Sequence, residues 1–470
     1  MQENKIRISE IFNSRLDPHF YKKEFLELRN SLNNSKTYKL GEVVEFSSET
    51  WDQKSKFKDE FPYIEISEID IITGTIQNIN WCPLAKAPSR AKMVVHSGDI
   101  IISTTRPNRG AISVIPSKYD GYIASTGFSI IRNIKTNNLN KEYLYEYLRT
   151  NISLRQMLRH SSGGNYPAIT QEELKKILIY VPDMSAQRKI VKLLSDARIG
   201  LQNKLNKAGI LITSISDTLL YELCIKIPDM NSKKVYKTSV ENLFSTRIDP
   251  KYHQPKYENL EKNIKSNNKK IYSIESLDNI CKKVISGQRP KGGVSQILEG
   301  IPSIGGEHVF KDGTIAVENL KYIPEDFHQK QLKSKIKPLD IILVKDGATT
   351  GKVGIIPEDY PYNEANINEH VFILRCKDNI DPYYLLTFLM SDIGQIQIER
   401  EISGATIMGI TKDSLKNILI PIPSVSIQNS ISNEYKKCLE LAEQLKSEAN
   451  SEYEKAKQRV ENIILGKESL

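Results

Sequence analysis

The glycine-rich segment at residues 346–354, DGATTGKVG, has the composition of a phosphate-binding loop. Such a loop requires the pattern G-x-x-x-x-G-K-[ST], in which the final hydroxyl holds Mg²⁺. Here Gly347 and Gly351 bracket only three residues, and Val353 follows Lys352. Because IILV precedes the segment and VGII follows it, the apolar pattern predicts a polar hairpin turn between two strands. A nucleotide-hydrolysing site is therefore not expected.

Other groups that could perform chemistry are scattered along the chain. The seven histidines form no pair at i, i+4, and the five cysteines form no C-x-x-C pair, so zinc or disulfide frameworks are not indicated. The Glu-x-Lys spacings at residues 173–175 and 434–436 fall in charged, helical stretches without an upstream carboxylate partner. The Asn-Pro-Pro-aromatic motif of adenine methylases does not occur in the sequence. We therefore predict no catalytic residue and no metal site in this chain.

Polar turns carry the residue types that suit contact with DNA phosphates and base edges. The candidate DNA-contacting residues of the first half are Thr104, Thr105, Arg106, Asn108, Arg109, Arg159, Ser162, Gly163, Asn165 and Tyr166. Those of the second half are Arg289, Lys291, Lys345, Thr349, Thr350, Lys352, Ser403, Gly404 and Thr406. For the hairpin turns, DNA contact is modestly favoured over a plain surface loop. For the arginines of residues 149–160, a solvated helix end is an equally good explanation. The net charge of +9 permits a polyanionic partner without requiring one.

The sequence segments that position these turns occur twice in the chain as an internal repeat. The heptapeptide RLDPHFY at residues 15–21 returns as RIDPKYH at residues 247–253. Later matches, such as Asp99 with Asp340, lie 241 positions apart, and the same offset holds through the block that closes each half. The stretches at residues 47–97 and 283–338 show little mutual identity. A duplicated frame with dissimilar inserts is expected of a protein that reads two different ligands, although a drifted tandem duplication gives the same pattern.

Each copy ends in a long helical pattern. Apolar residues recur three or four positions apart from Ile190 to Leu223 and again from Ile427 to Ile463, which predicts two coiled-coil stripes. Forty residues correspond to roughly 60 Å of helix. If a twofold rotation relates the copies, the two helices run antiparallel and act as a spacer. A solvated helix pair without a spacing role is the alternative.

The opening motif of each copy predicts a docking helix. Asp17 and Pro18 suit the N-cap and the first helical position, and Asp249 and Pro250 repeat them. Arg15 and Arg247 are candidates for phosphate contact, but capping or packing is the favoured role. Ser185 is expected to cap the first long helix, and Pro228 to end it.

The repeated blocks resemble the DNA-specificity subunits of type I restriction-modification systems. The resemblance rests on the closing SG…T…L…I.IP.P….Q block, the GDIIIS and LDIILV strands, and SGQRPKGG from Ser286 onward. It covers nearly the whole chain. Arg289 stands where threonine is usual in that family, and Gln187 and Gln428 lack the glutamate that commonly precedes them. These departures concern the subfamily, because the resemblance implies no catalytic group in this subunit.

The resemblance implies a non-catalytic subunit that recognises an asymmetric bipartite target in double-stranded DNA. DNA methyltransferase subunits, two in number, would dock on the helices and methylate adenine N6 with S-adenosylmethionine. ATP-dependent restriction subunits, with Mg²⁺ and ATP, would join them. Alternatives are a specificity subunit that serves one fused restriction-methylase polypeptide, or a two-headed protein scaffold without DNA binding. The target sequence and half-site spacing do not follow from this chain.

The predicted fold is therefore α+β, with two target-recognition domains related by a pseudo-twofold and two long helices in an antiparallel coiled coil. The predicted segments are 1–184 and 231–425 for the recognition domains, and 185–230 and 426–470 for the helices. With 39% hydrophobic and 26% charged residues, an ordinary folded protein is expected. A membrane-spanning run and a secretory signal are not apparent, so a cytoplasmic location is expected.

Overall fold

The computed structural model describes residues 17–33, 36–52, 57–77, 79–231, 235–266, 271–294, 297, 299–404 and 408–470. Contacts divide the chain into unit 1, residues 1–204 and 447–470, and unit 2, residues 205–446. Each unit therefore holds one globular part, the beginning of one long helix and the end of the other. In the described part of the chain, no helix is both long and apolar enough to cross a bilayer.

Unit 1 combines short helices with three small sheets. Its strands are β1 (Thr37–Lys39), β2 (Val44–Phe46), β3 (Glu60–Ile64), β4 (Asn80–Pro83), β5 (Ala91–Val94), β6 (Ile100–Ser103), β7 (Ile112–Val114), β8 (Ile123–Ser125), β9 (Phe128–Ile134) and β10 (Leu178–Tyr180). Its helices are α1 (Lys23–Leu32), α2 (Leu40–Val43), α3 (Lys141–Leu148), α4 (Asn151–His160), α5 (Gln171–Leu174) and α6 (Met184–Leu223), of which α6 continues into unit 2.

Unit 2 repeats most of this order, although its described strands include no counterpart of β5. Its strands are β11 (Tyr272–Ser276), β12 (Cys281–Ser286), β13 (Ile301–Ile304), β14 (Lys321–Ile323), β15 (Ile341–Val344), β16 (Val353–Ile355), β17 (Asn366–Ile367), β18 (Val371–Cys376) and β19 (Leu419–Pro423). Its helices are α7 (Val240–Ser245), α8 (Pro255–Lys265), α9 (Leu277–Ile280), α10 (Glu325–Lys330), α11 (Pro382–Met390), α12 (Asp392–Glu401) and α13 (Val425–Ile464), of which α13 continues into unit 1.

The frame sheets of the two units share one topology. Strand order is β2-β9-β6-β7 in unit 1 and β12-β18-β15-β16 in unit 2. Ile100 pairs with Val114, and Ile341 pairs with Ile355, so register is repeated at the 241-residue offset. The isoleucine- and valine-rich central strands are buried on both faces, as continuous apolar runs require. The predicted hairpin around residues 346–352 is confirmed.

The inserts also share a topology, although their sequences differ. In unit 1, β3 pairs antiparallel with β4 and parallel with β8. In unit 2, β13 pairs antiparallel with β14 and parallel with β17. Unit 1 adds β5 to this sheet, whereas the described residues of unit 2 form an isolated bridge there, between Lys335 and Asn366. The inserts thus differ in sequence more than in strand arrangement.

The two long helices run antiparallel within each unit. In unit 1, Ile190 and Leu194 pack in the same core cluster as Val460 and Ile464. In unit 2, Leu219 and Leu223 share a core cluster with further α13 residues, Ile431 and Tyr435. Residue numbers rise along one helix as they fall along the other, and both helices are 40 residues long. The predicted antiparallel pairing and equal lengths are confirmed.

Both ends of α6 differ from the prediction. The side chain of Asp183, not Ser185, caps the helix by accepting a hydrogen bond from the Ala186 N–H at 2.9 Å. The helix ends at Leu223, before Pro228, because Cys224 adopts a left-handed conformation with φ 52°. The next amide, that of Ile225, donates to the Leu220 carbonyl at 3.1 Å, which closes the helix as a Schellman motif.

A buried glutamine fixes the start of each long helix to its globular part. Gln187 accepts from the Asn140 N–H at 2.8 Å and donates to the Pro182 carbonyl at 2.7 Å. Gln428 accepts from the Asp381 N–H at 2.9 Å and donates to the Pro423 carbonyl at 3.1 Å. Asn140 and Asp381 are the N-caps of α3 and α11, and Pro182 and Pro423 lie just before the long helices, so each glutamine couples two helices. This pairing explains why the sequence repeats glutamine at both positions.

The opening motif packs against Arg159 in unit 1, whose Nε donates to the Phe20 carbonyl, and against Arg400 in unit 2, whose Nε donates to the Tyr252 carbonyl. Phe20, Phe25 and Leu28 are buried. Asp17 caps a 3-10 helix at Pro18–Tyr21, and α1 starts only at Lys23. In unit 2 the Asp249 side chain accepts from the Lys251 N–H at 2.9 Å, but the helix begins later, at Pro255. Both aspartates therefore close a turn that precedes the docking helix. Arg15 lies outside the described residues.

An aspartate–arginine ion pair is repeated beneath each frame sheet. Arg132 donates to Asp99 at 3.0 Å, and Arg375 donates to Asp340 through two nitrogens at 2.7 and 2.6 Å. Both aspartates are buried, at 2% and 1% exposure. The hydrogen bond to Asp340 raises the pKa of Arg375 above its ordinary value. Each pair fixes the start of a central strand against the strand that follows the insert.

We predict that Asp340→Asn lowers the free energy of unfolding of unit 2 by about 3 kcal/mol, because it leaves the Arg375 charge unpaired next to the core. Urea denaturation measures the change. As the control, Asp378→Asn removes a carboxylate from an exposed pair with Lys282 and should leave the transition almost unmoved. Equal effects of the two substitutions would contradict the structural importance of the buried pair.

Candidate functional site

Two polar turns of unit 1 that are distant in sequence lie side by side. The first turn, residues 104–110, follows β6, and the second, residues 161–168, follows α4. The Arg106 N–H donates to the Pro167 carbonyl at 2.7 Å, and the Ile169 N–H donates to the Thr104 carbonyl at 2.9 Å. We call these two segments turn pair 1. The structure therefore joins two candidate DNA-contacting stretches that lie more than 50 residues apart in sequence.

Unit 2 repeats the arrangement with residues 345–352 and 403–409, of which residues 405–407 are not described. The Ile410 N–H donates to the Lys345 carbonyl at 2.7 Å, and the backbones of Asp346 and Gly409 form an isolated antiparallel β-bridge. We call these segments turn pair 2. The Ile410–Lys345 bond lies 241 positions from the Ile169–Thr104 bond, and the Asp346–Gly409 bridge lies 241 positions from a bridge between Thr105 and Ala168. The duplication therefore preserved a composite surface.

Turn pair 1 exposes most of the residues predicted for it. Thr105, Asn108, Arg109, Ser162, Gly163, Asn165 and Tyr166 are exposed. Arg106 adopts a left-handed conformation with φ 50°, and its guanidinium lies 4.2 Å from the centre of the Tyr166 ring. Tyr166 is 71% exposed, so an arginine stacked on an aromatic ring faces solvent. Planar groups of this kind bind phosphates and stack on bases.

Two predicted residues of unit 1 do not fit a role in binding. Arg159 is only 5% exposed; its Nε donates to the Phe20 carbonyl at 3.0 Å, and its guanidinium lies 4.0 Å from the Phe20 ring. Burial lowers the pKa of Arg159 to about 10. Thr104 is half-buried, and its hydroxyl donates to the Gly127 carbonyl at 2.9 Å. Arg159 therefore holds the opening motif, and its burial does not favour the predicted DNA contact.

Turn pair 2 is less exposed and more internally bonded. Lys345 donates to the Ser286 hydroxyl at 3.0 Å, and the hydroxyl of Thr350 donates to the Gly347 carbonyl at 2.6 Å. Thr349 and Lys352 are half-buried, as is Ser403, whereas Gly404 is exposed. Thr406 lies outside the described residues. A ligand can therefore contact turn pair 2 through the exposed parts of these half-buried side chains.

Arg289 and Lys291 belong to the loop that precedes β13. Both are exposed, and Arg289 forms an ion pair with Glu369 at 3.2 Å. Gly287 allows the close approach of this loop, because an added Cβ would lie 2.2 Å from the Asn368 carbonyl oxygen. The loop therefore runs directly against the strand end that adjoins turn pair 2.

Beside Arg289 opens a cleft of about 800 Å³ lined largely by insert residues. Its lining includes Glu307, His308, Phe310, Glu318, Asn319, Lys321, Asn368, Glu369 and His370. Burial would raise the pKa of Glu307, but the hydrogen bond from Lys321 and lesser contacts outweigh it and leave the pKa below its ordinary value. Burial lowers the pKa of His308. The cleft thus presents carboxylate, amide and imidazole groups close together.

Such a mixture of donors and acceptors suits the reading of base edges in a DNA groove. The sequence does not predict a binding role for these residues. Single glutamates and asparagines are common on protein surfaces, and this stretch has no repeated counterpart in the first half. Their position in the insert that differs between the halves was the available clue. Within the described residues, histidine, cysteine and carboxylate side chains nowhere gather in a group of three that could hold a metal ion.

Comparison with known proteins matches this architecture. The family model of the type I restriction modification DNA specificity domain matches residues 33–212 and again residues 280–451. The MjaX specificity subunit of Methanocaldococcus jannaschii, a putative type I restriction enzyme subunit, is 23% identical over 419 residues, which cover 88% of each protein. The HindI specificity subunit of a type I restriction enzyme from Haemophilus influenzae is 25% identical over 177 residues, 37% of each protein.

A solved structure of the HsdS subunit from Thermoanaerobacter tengcongensis is 22% identical, with a TM-score of 0.36. The alignment covers 92% of this chain and 97% of that chain. The two family matches each span a frame, an insert and the beginning of a long helix.

We predict that Arg159→Met lowers the free energy of unfolding by about 1.5–3 kcal/mol, because it removes a charged hydrogen bond and a cation–π contact inside the protein. Thermal unfolding measures the loss. The control Arg109→Met, on the exposed face of turn pair 1, should leave stability unchanged and weaken duplex DNA binding. A stable Arg159→Met protein with impaired DNA binding would restore the original assignment of Arg159.

Proposed function

We propose that turn pair 1 and turn pair 2 each contact one half-site of a DNA target, because the chain belongs to the family of type I restriction-modification DNA specificity proteins. The chain is a DNA specificity subunit of a type I restriction-modification system. Its target, in our proposal, is asymmetric and bipartite, since the inserts that flank the two turn pairs differ in sequence. The observation that carries the proposal is the composite turn pair, repeated at a fixed offset beside unlike inserts.

The division of roles within each unit follows from chemistry. Turn residues such as Arg106, Asn108 and Arg109 suit phosphate contacts, which position a protein on DNA without reading its sequence. The cleft beside Arg289 suits direct readout, since carboxylates accept from cytosine and asparagine pairs with adenine in the major groove. Frame residues would therefore supply orientation, and insert residues would supply the choice of bases.

Catalysis is assigned to other subunits in this proposal. Two DNA methyltransferase subunits would use S-adenosylmethionine to methylate adenine N6, and ATP-dependent restriction subunits with Mg²⁺ would join them. A single fused restriction-methylase polypeptide is the alternative partner, and copurification separates the two arrangements. A scaffold without DNA binding is disfavoured, because both globular parts match a DNA specificity domain.

The direct experiment maps methylated adenines in genomic DNA of cells with and without this chain. We predict methylation at one bipartite sequence only when the chain is present, because the specificity subunit selects the site. Methylation that persists at the same sites in its absence would contradict the proposal. The map also supplies the target duplex for the binding measurements.

We further predict that Glu318→Ala relaxes base preference in one half-site only, at a cost of about 1–3 kcal/mol for the preferred sequence, because its exposed carboxylate lines the cleft of unit 2. Selection from randomised duplexes measures preference at every position. Glu358→Ala, an exposed glutamate outside the cleft, is the matched control. Unchanged preference in both half-sites, or a loss in both, would refute the assignment.

A further inference from the structure

A second depression in unit 2, of about 600 Å³, is lined by six basic side chains. They are Lys283, Lys333, Lys335, Lys337, Arg375 and Lys412. The remaining lining residues come from β12, from the loop that follows it and from Leu332. We call this depression the lysine groove. Sequence analysis assigned no role to any of these six residues.

Most of this positive charge faces solvent without a counterion. Arg375 is neutralised by Asp340, and Lys335 is paired with Glu364. Within the described part of the chain, Lys283, Lys333, Lys337 and Lys412 form no ion pair, and all four are exposed. The carboxylate adjacent to Lys412, that of Asp413, is held instead by Lys416 at 3.3 Å. Four uncompensated ammonium groups around one concave surface attract a polyanion.

The lysine groove is continuous with turn pair 2. Ser286, which lines the groove, accepts the hydrogen bond from Lys345 of the turn pair at 3.0 Å. Lys412 follows two residues after Ile410, whose N–H is bonded to the Lys345 carbonyl. A ligand that lies along turn pair 2 can therefore extend into the groove without crossing an intervening element.

Unit 1 repeats this feature only in part, because one of the three positions 241 residues earlier is also a lysine. Lys333, Lys337 and Lys412 correspond, 241 positions earlier, to Lys92, His96 and Gln171. Unit 1 also places a carboxylate there, because Glu49 contacts Arg132 and lies 3.1 Å from His96. His96 is further engaged by Asp120 at 3.2 Å. Among the described residues at these positions, unit 2 therefore carries more uncompensated positive charge than unit 1.

We propose that the lysine groove binds the sugar-phosphate backbone of the duplex next to the half-site read by unit 2. This inference rests on the proposed function. Lysine side chains contact phosphates as point charges and carry no sequence information. Unit 2 therefore supplies more of the sequence-independent, salt-dependent affinity than unit 1, and the complex holds the two half-sites with unequal electrostatic strength.

The test compares the full chain with the triple variant Lys333→Gln, Lys337→Gln and Lys412→Gln. Each lost phosphate contact reduces the slope of log K against log salt concentration by about 0.9, so the slope should become less negative by up to about 2.7. The matched control removes three other lysines of unit 2 that do not line the groove: Lys226→Gln, Lys262→Gln and Lys437→Gln. Fluorescence anisotropy with target and scrambled duplexes, over a salt series, measures both slopes.

The expected result is a shallower slope for the groove variant on both duplexes, with the ratio of target to scrambled affinity unchanged and the control close to wild type. Equal slopes for the groove and control variants would overturn the lysine groove and leave the proposed function intact if the wild-type chain still prefers its target. A wild-type chain that shows no salt-dependent binding to any duplex would overturn both.

Discussion

Two buried glutamine amides fix the long helices to the globular parts, and the rest of each unit depends on them. Gln187 is fully buried and Gln428 is 2% exposed, so any hydrogen bond that they fail to make leaves a polar group unsatisfied inside the protein. Such a group costs about 1–3 kcal/mol. Each amide is hydrogen-bonded both next to the first residues of a long helix and to the start of α3 or α11. The position of the long helix therefore determines where α3 or α11 begins.

The candidate surface follows from that constraint by short steps. Helix α3 leads directly into α4, and the second turn of turn pair 1 begins where α4 ends. The first turn leaves β6, which the ion pair between Asp99 and Arg132 holds at its start. Backbone hydrogen bonds then join the two turns. A DNA contact on this surface is thus connected to a long helix through rigid elements, and unit 2 repeats the connection.

The repeat made much of this architecture predictable, because identities at one constant offset mark residues with the same partner in both halves. Examples are Gln187 and Gln428, which occupy equivalent positions of the repeat, and the apolar stripes of α6 and α13. Arg159 shows the limit: an arginine beside a glycine-rich turn suggests phosphate contact, and only the fold reveals Phe20 beneath it. The lysine groove was equally invisible, since Lys283, Lys333 and Lys412 come together from separate segments.

The central claim is that both turn pairs face the DNA. Photo-crosslinking from Ser162 and from Ser403, which occupy equivalent positions in the two turn pairs, tests it most directly on a target duplex. The account predicts that each position crosslinks, and that the two crosslinked sites fall in different halves of the target. Crosslinks confined to one position, or to the same half for both, would contradict it.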